Sequence, residues 1–219
     1  MPEGSIFREA IALTVGALFP IMNPFSTAPL FLSLTARMQP AKRNREALMA
    51  CIYAFGILVI FLLLGAAIID FFGISVPGIR VAGGLIVSAI GLRMLFPAPV
   101  NGASGTPRLM PAEEEIAFTP LAMPSLAGPG SISVVVTAAS QVRAHHAGNY
   151  VQVYLGIVIG MAFTIVIAWL VLRTATSLAR VLGPSGIDAM TRIFGFLLVC
   201  IGIQFLLTGI SDFFALRVA

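Results

Sequence analysis

Charged and turn residues cut this chain into six long apolar stretches. They run from about Ile6 to Ala36, between Glu46 and Asp70, and from about Val76 to Phe96. The remainder run from about Ile116 to Ser140, Val151 to Leu172 and Ile193 to Ile210. Ala10 to Ala36 holds no charged residue over 27 positions, and Ile116 to Val142 none over another 27. As helix, such a run is roughly 40 Å long, more than the ~30 Å hydrocarbon core of a bilayer. The pattern predicts an all-α, polytopic membrane protein with six transmembrane helices, residues 1–219 forming a single membrane domain. In the third stretch Arg80 and Arg93 lie about 20 Å apart along a helix axis. Each can snorkel to the nearer interface, so the span survives.

Two of the stretches carry turn residues at their centres. The first contains Pro20-Ile-Met-Asn23-Pro24-Phe-Ser26-Thr27-Ala28-Pro29, and the fourth contains Pro120-Leu-Ala-Met-Pro124-Ser125-Leu-Ala-Gly128-Pro129-Gly130-Ser131. Proline and glycine there free backbone groups where no water is available. Only protein or a water-filled cavity can satisfy them again. The first and fourth helices are therefore expected to be broken, over Met22 to Thr27 and Leu126 to Ser131, with the two breaks close together. Paired interruptions in corresponding positions of two halves are the sequence mark of a transporter's substrate site.

Composition agrees with the membrane reading. Apolar residues make up 58% of the chain and charged residues 10%, against about 25% charged in a soluble domain. The net charge of +4 does not form a nucleic-acid-binding patch, because the charges punctuate the apolar runs. Their distribution gives an orientation. Arg37, Lys42, Arg43, Arg45, Arg93, Arg108, Arg173, Arg180 and Arg192 fall on one side; Arg8, Arg80, Arg143 and Arg217 fall on the other. The richer side is expected to be cytoplasmic, with both termini periplasmic. Cys51 and Cys200 lie in apolar runs without further ligands and read as small helix residues.

The halves match beyond their breaks. Arg80-Val-Ala-Gly83 corresponds to Arg192-Ile-Phe-Gly195, and Ile90-Gly91-Leu92-Arg93 to Ile201-Gly202-Ile203-Gln204 with a one-residue shift. Residues 6–97 then form repeat 1, 98–115 a Pro/Gly/Ala/Ser-rich cytoplasmic linker, and 116–216 repeat 2. Three spans per half forces the second half to insert upside down, giving two inverted three-helix repeats. Duplication kept for packing alone is the bland alternative.

The polar groups in the breaks are neutral. A proline at a break starts a fresh half-helix, whose unpaired amides favour a carboxylate. Carbonyls released upstream favour an ammonium group or a cation. The expected substrate-binding set is Asn23, Pro24, Ser26, Thr27, Gly128, Pro129, Gly130 and Ser131, acting mostly through the backbone on a small zwitterion such as a neutral amino acid. Each has a structural alternative. Asn23 can simply cap a half-helix, and Ser131 and Thr137 can bond the carbonyl four residues back or a neighbouring helix. Gly83-Gly84 with Ser88 and Gly91 reads as a helix-packing face, as does the Gly156/Gly160 spacing. Arg80 and Arg192 read as anchors, and His145-His146 as a solvated loop.

No Ser/His/Asp set, HExxH, P-loop or metal cluster is present in the sequence. The expectation is no enzyme, no catalytic or metal site and no cofactor. The expected partners are the lipid bilayer, a small-molecule solute and, for a secondary transporter, a coupling ion of unassigned kind; nucleic acid is not among them. Scaffolding without transport, and efflux of drugs or metabolites, are the alternative functions.

The blocks Phe72-Gly-Ile-Ser-Val-Pro-Gly-Ile-Arg80-Val-Ala-Gly-Gly84 and Arg93-Met-Leu-Phe-Pro97, with Pro120 to Gly130 and Arg192 to Gln204, resemble the MarC family of membrane proteins. The resemblance covers nearly the whole chain. It implies a six-span protein of the bacterial inner membrane, grouped with exporters of the LysE type. The family's name refers to multiple antibiotic resistance, which does not establish drug efflux. One branch, SnatA, is described as transporting small neutral amino acids.

Overall fold

A computed structural model describes residues 3–96, 116–145 and 150–214 of the chain. The expected linker 98–115 lies outside the described residues. Every element is helical: α1 (Glu3–Met22), α2 (Pro24–Leu34), α3 (Pro40–Phe72), α4 (Val76–Leu95), a π-helical segment (Ala117–Leu126), α5 (Pro129–His145), α6 (Tyr150–Arg173) and α7 (Ala175–Phe213).

Four of these contain spans long and apolar enough to cross a membrane: Pro40–Gly65, Val76–Leu95, Tyr150–Arg173 and Ser185–Phe213. Ile6–Met22 and Thr27–Leu34 together make a fifth, bent by 52°. The fourth apolar stretch, expected as a broken membrane span, breaks as expected but leaves no helix of span length. It supplies only the short apolar helix Pro129–Ser140, preceded by the π-helical segment. Proline chemistry accounts for this. Thr119 and Met123, each directly before a proline, take extended conformations (φ −125°, ψ 123° and φ −126°, ψ 124°), because the proline ring excludes its predecessor from the helical region. The amides that remain reach back five residues, Leu121 N–H to the Ile116 carbonyl at 3.4 Å and Ala127 N–H to the Ala122 carbonyl at 2.8 Å.

Small residues set the helix pairings. α4 runs antiparallel along α7. A Cβ on Gly84 would lie 2.5 Å from the Gly202 carbonyl oxygen, one on Gly91 2.6 Å from that of Gly195, and one on Gly209 2.9 Å from that of Pro77. The seven-residue spacing keeps one seam facing the partner along the length of the pair. α6 lies parallel to α1, with Gly156 against Ala10 and the Phe7 carbonyl, and Gly160 against Thr14 and the Ile11 carbonyl. The fourth stretch lies parallel to α3, from the Glu46–Ile116 hydrogen bond to the contact of Gly65 with Val136. Leu18, Met22, Phe31, Leu58, Leu62, Leu121, Leu126, Met161 and Leu198 fill the centre. The outer faces stay apolar, with Leu63 62%, Phe163 56% and Phe196 59% exposed. A bundle so lined outside needs hydrocarbon as its solvent.

Short connections fix the bends. Gly73 (φ 63°) ends α3 with its N–H on the Asp70 carbonyl, and Ile74 N–H reaches the Ile69 carbonyl at 3.0 Å, the αL closure glycine permits. Ser75 then caps α4 by accepting the Gly78 N–H at 3.2 Å. α7 bends at Gly183 (φ 62°, ψ 178°), which separates an arm, residues 175–182, from the span.

Candidate functional site

The first break is a single residue wide. Asn23 (φ 36°) is the one non-glycine residue with positive φ among the described residues, a conformation asparagine tolerates better than most. Its N–H still donates to the Phe19 carbonyl at 3.1 Å, and its carbonyl accepts the Thr27 N–H at 3.3 Å. It therefore closes α1 and opens α2 at once, the N-cap position the sequence suggests. Its side-chain Nδ2 donates to Met94 Sδ at 3.6 Å, tying the break to α4. Pro24 takes the first position of α2, as a half-helix start requires. Ser26 follows in the same turn; its side chain lies outside what the structure describes. Phe19, Phe25 and Phe194 bracket the break, with ring centroids 6.2, 5.9 and 5.2 Å apart. They join both half-helices to α7. From the sequence the phenylalanines read only as lipid- or core-facing; the placement of Phe19 and Phe25 either side of Asn-Pro was the available signal.

The second break falls at Ala127 (φ −98°, ψ 56°) and Gly128. Pro129 then begins α5, and the first intrahelical bond runs from Ile132 N–H to the Gly128 carbonyl at 3.0 Å. The amides of Gly130 and Ser131 thus occupy first-turn positions that have no intrahelical acceptor. Both residues are buried, as is Gly128, while Pro129 is exposed. Gly130 packs closely, since a Cβ there would lie 3.0 Å from both Ile21 Cγ2 and Val87 Cγ2. Ser131 Oγ donates to the Leu126 carbonyl at 3.1 Å. Its hydroxyl bridges the break to a carbonyl five residues back, not the four expected within a helix, and satisfies a group the break releases.

The two breaks meet. Thr27 Oγ1 donates to the Asn23 carbonyl at 3.3 Å and lies 3.4 Å from Ser125 Oγ on the π-helical segment. Two half-helix N-termini, each opened by a proline, therefore stand near a pair of hydroxyls, one buried and one half-buried. The arrangement offers backbone amides to an anion and hydroxyls to either partner of a zwitterion. Beside the first break is a cavity of about 10 Å³ lined by Phe25, Pro29, Leu178, Leu182, Ile187 and Met190. That is room for about one water. The arm of α7 closes it, with Leu178 and Leu182 laid over α2.

Three charged positions have partners that the sequence reading does not assign. Arg80, expected only to snorkel, is 12% exposed at its side chain and forms an ion pair with Asp212 near the end of α7. Arg192 pairs with Asp188 in its own helix at 2.9 Å, with both groups exposed. Glu46, read as a boundary residue, is 6% exposed and accepts the Ile116 N–H at 3.2 Å. The expected packing glycines do pack, Gly84 and Gly91 on α7 and Gly156 and Gly160 on α1, while Gly83 faces Ser133. His146 and the side chain of His145 lie outside the described residues. Among the described residues, no group of three His, Cys, Asp or Glu side chains could hold a metal ion.

Residues 8–214 match the family described as MarC family integral membrane protein. The inner membrane protein MarC of Escherichia coli strain K12 is 43% identical over 214 residues, covering 93% of this chain and 95% of that protein. The protein of the same name from Shigella flexneri is 43% identical over the same length and coverage. No solved structure matches this chain.

Proposed function

We propose, from the premise that this chain belongs to the MarC family of integral membrane proteins, that it is a secondary transporter of a small zwitterionic solute such as a neutral amino acid. The observation that carries the reading is the meeting of the two breaks, with Thr27 Oγ1 3.4 Å from Ser125 Oγ and a proline-led half-helix starting beside each. Helix N-termini brought together in the interior of a bundle suit a carboxylate, and released carbonyls suit an ammonium group. The transport reading involves no catalytic step. The inner membrane, named for the relatives, is the proposed location, with both termini periplasmic and a coupling ion as driving partner.

The proposed frame is two inverted three-helix repeats, with the fourth stretch counted as a broken span. The α4–α7 seam supports it. In the register that pairs Gly91 with Gly202, Gly84 corresponds to Gly195. Gly84 faces Gly202 while Gly91 faces Gly195, the reciprocal contact that a two-fold relation between equivalent helices requires. The first stretch packs on α6 as the fourth packs on α3, which is the same exchange.

A scaffold without transport draws on one observation, the tight cover of Ile21 and Val87 over Gly130. In the transport reading that cover belongs to an occluded state. Uptake and counterflow of a panel of labelled amino acids in proteoliposomes decide between them. Saturable flux of small neutral amino acids is expected. Absence of any flux gives the scaffold the stronger case, and flux confined to bulky cationic drugs gives it to efflux.

A further inference from the structure

α4 and α7 form a body of their own. Their seam brings backbone against backbone at Gly84, Gly91, Gly202 and Gly209, and a pair so closely fitted resists sliding. They are also the least covered spans. The apolar centre of α4 is 22% buried and that of α7 28%, against 33% for α3 and 44% for α6. What they do touch is the two breaks. Val87 covers Gly130, Met94 meets Asn23, and Phe194 meets Phe19 and Phe25.

The pair is fastened differently at its two ends. In the register that aligns Pro24 with Pro129, Ala28 corresponds to Ser133. In the register that aligns Gly91 with Gly202, Met190 corresponds to Ile79. Ser133 Oγ donates to the Ile79 carbonyl at 3.3 Å, in space that Gly83 leaves open, since a Cβ there would overlap it. At the equivalent place in the other half Ala28 brings a methyl group where Ser133 brings a hydroxyl, and Phe25, Ala28 and Met190 line the cavity between α2 and α7. The connections differ in the same sense. α3 reaches α4 through three residues, 73–75, closed by the Ser75 cap. Between Arg173 and the span that begins at Ser185, the chain bends at both Thr174 (φ −94°, ψ 5°) and Gly183 (φ 62°, ψ 178°). A Cβ on Gly183 would meet nothing within 4 Å, so glycine serves the backbone there, in a region closed to other residues. One end is short and hydrogen-bonded. The other is slack, apolar and incompletely filled.

We propose that α4 and α7 rock as one body about the Ser133–Ile79 end and open at the Ala28–Met190 end, beside the first break. The strap of residues 174–184 gives way at Gly183, and the cavity is where the contact parts. The pairing of Ala28 with Ser133 rests on the inverted-repeat reading; the motion itself needs no solute. Exchanging the two fastenings between the halves gives the opposite opening, as alternation between repeats requires.

Distances between paired spin labels test it, in lipid nanodiscs and a Cys51→Ala, Cys200→Ala background. Leu48→Cys with Ala189→Cys spans the opening end on exposed sites, and Phe71→Cys with Phe213→Cys spans the fastened end. The first pair should show two populations roughly 7 Å apart, the shift that a tilt of about 10° gives at the end of a helix roughly 43 Å long. The second pair should show one. Ala28→Ser supplies the missing hydroxyl and should lower the open fraction about fivefold, the effect of one neutral hydrogen bond. Ser133→Ala should bring a second population to the Phe71/Phe213 pair. A single narrow distance at Leu48/Ala189, an equal spread at both ends, or an open fraction unmoved by Ala28→Ser would each overturn the rocking pair. Should Ala28→Ser fail to insert, the two label pairs alone still decide. Two populations at Leu48/Ala189 in a chain that carries no amino acid would remove the transport reading and leave the rocking pair standing.

Discussion

At the scale of single residues, the first break turns on Asn23, where backbone and side chain do different things. Its positive φ asks for a residue that accepts the left-handed region, while its Nδ2 reaches Met94. Asn23→Gly keeps the turn and loses the side chain, whereas Asn23→Ala loses both. Asn23→Ala should cost about 1–3 kcal/mol in thermal or denaturant unfolding in detergent, and Asn23→Gly markedly less. If the two variants are equally unstable, the backbone turn is not what asparagine supplies. Thr27 and Ser125 give a second residue-scale test. Their hydroxyls lie 3.4 Å apart, long for two oxygens. A double-mutant cycle with Thr27→Val and Ser125→Ala should therefore give a small coupling, about 0.5 kcal/mol. The Arg80–Asp212 pair should show the opposite asymmetry. Asp212→Ala leaves a largely buried guanidinium alone and should lower the unfolding midpoint more than Arg80→Lys, which keeps the charge. Restoring stability by exchanging the two residues would confirm the pair; no rescue would argue against it.

At the scale of elements, close approach separates glycines the sequence alone leaves alike. A side chain on Gly84 meets backbone at 2.5 and 2.8 Å, the Gly202 oxygen and Leu206 nitrogen, whereas one on Gly56 meets nothing within 4 Å. Backbone cannot step aside, so Gly84→Ala must push α4 from α7, with a cost of about 1–3 kcal/mol. Gly56→Ala removes a weak helix former from α3 and should be neutral or stabilising by up to about 1 kcal/mol. Unfolding measurements in one detergent check both, and equal behaviour of the two variants would discount the seam. The seam was partly legible. The Gly83-Gly84 and Gly91 positions announce a packing face, but only the paired helix shows that Gly84 faces α7 and Gly83 faces Ser133. The fourth stretch was legible as broken and not in how it breaks. Pro120 and Pro124 each push the preceding residue into an extended shape, and their joint outcome depends on what accepts the stranded groups nearby.

At the scale of the molecule, the charge distribution predicts an orientation in the membrane. Reporter fusions at the C-terminus should act as periplasmic, and fusions at Gly102 as cytoplasmic. Cytoplasmic activity at the C-terminus would remove the six-crossing, inverted arrangement. The helix directions agree with alternation. α1 and α6 run parallel, α3 and the fourth stretch run parallel, and α4 and α7 run opposite. The bend of 52° in the first stretch lies beside buried Met22, and the second interruption beside buried Leu126 and Ala127, while Pro129 is exposed.

The sequence by itself determined that the chain is helical and made for a membrane, since apolar runs of that length have no other stable solvent. It also pointed to both interruptions, because proline lacks the N–H that a helix interior uses and glycine is a weak helix former. Tertiary structure alone decided what those interruptions touch. That Thr27 meets Ser125, that Ser131 turns back on Leu126, that Arg80 finds Asp212 and that Glu46 pins Ile116 are contacts between residues distant in the chain or across a bend. Local propensity carries no information about such contacts, since they arise only when the helices have docked.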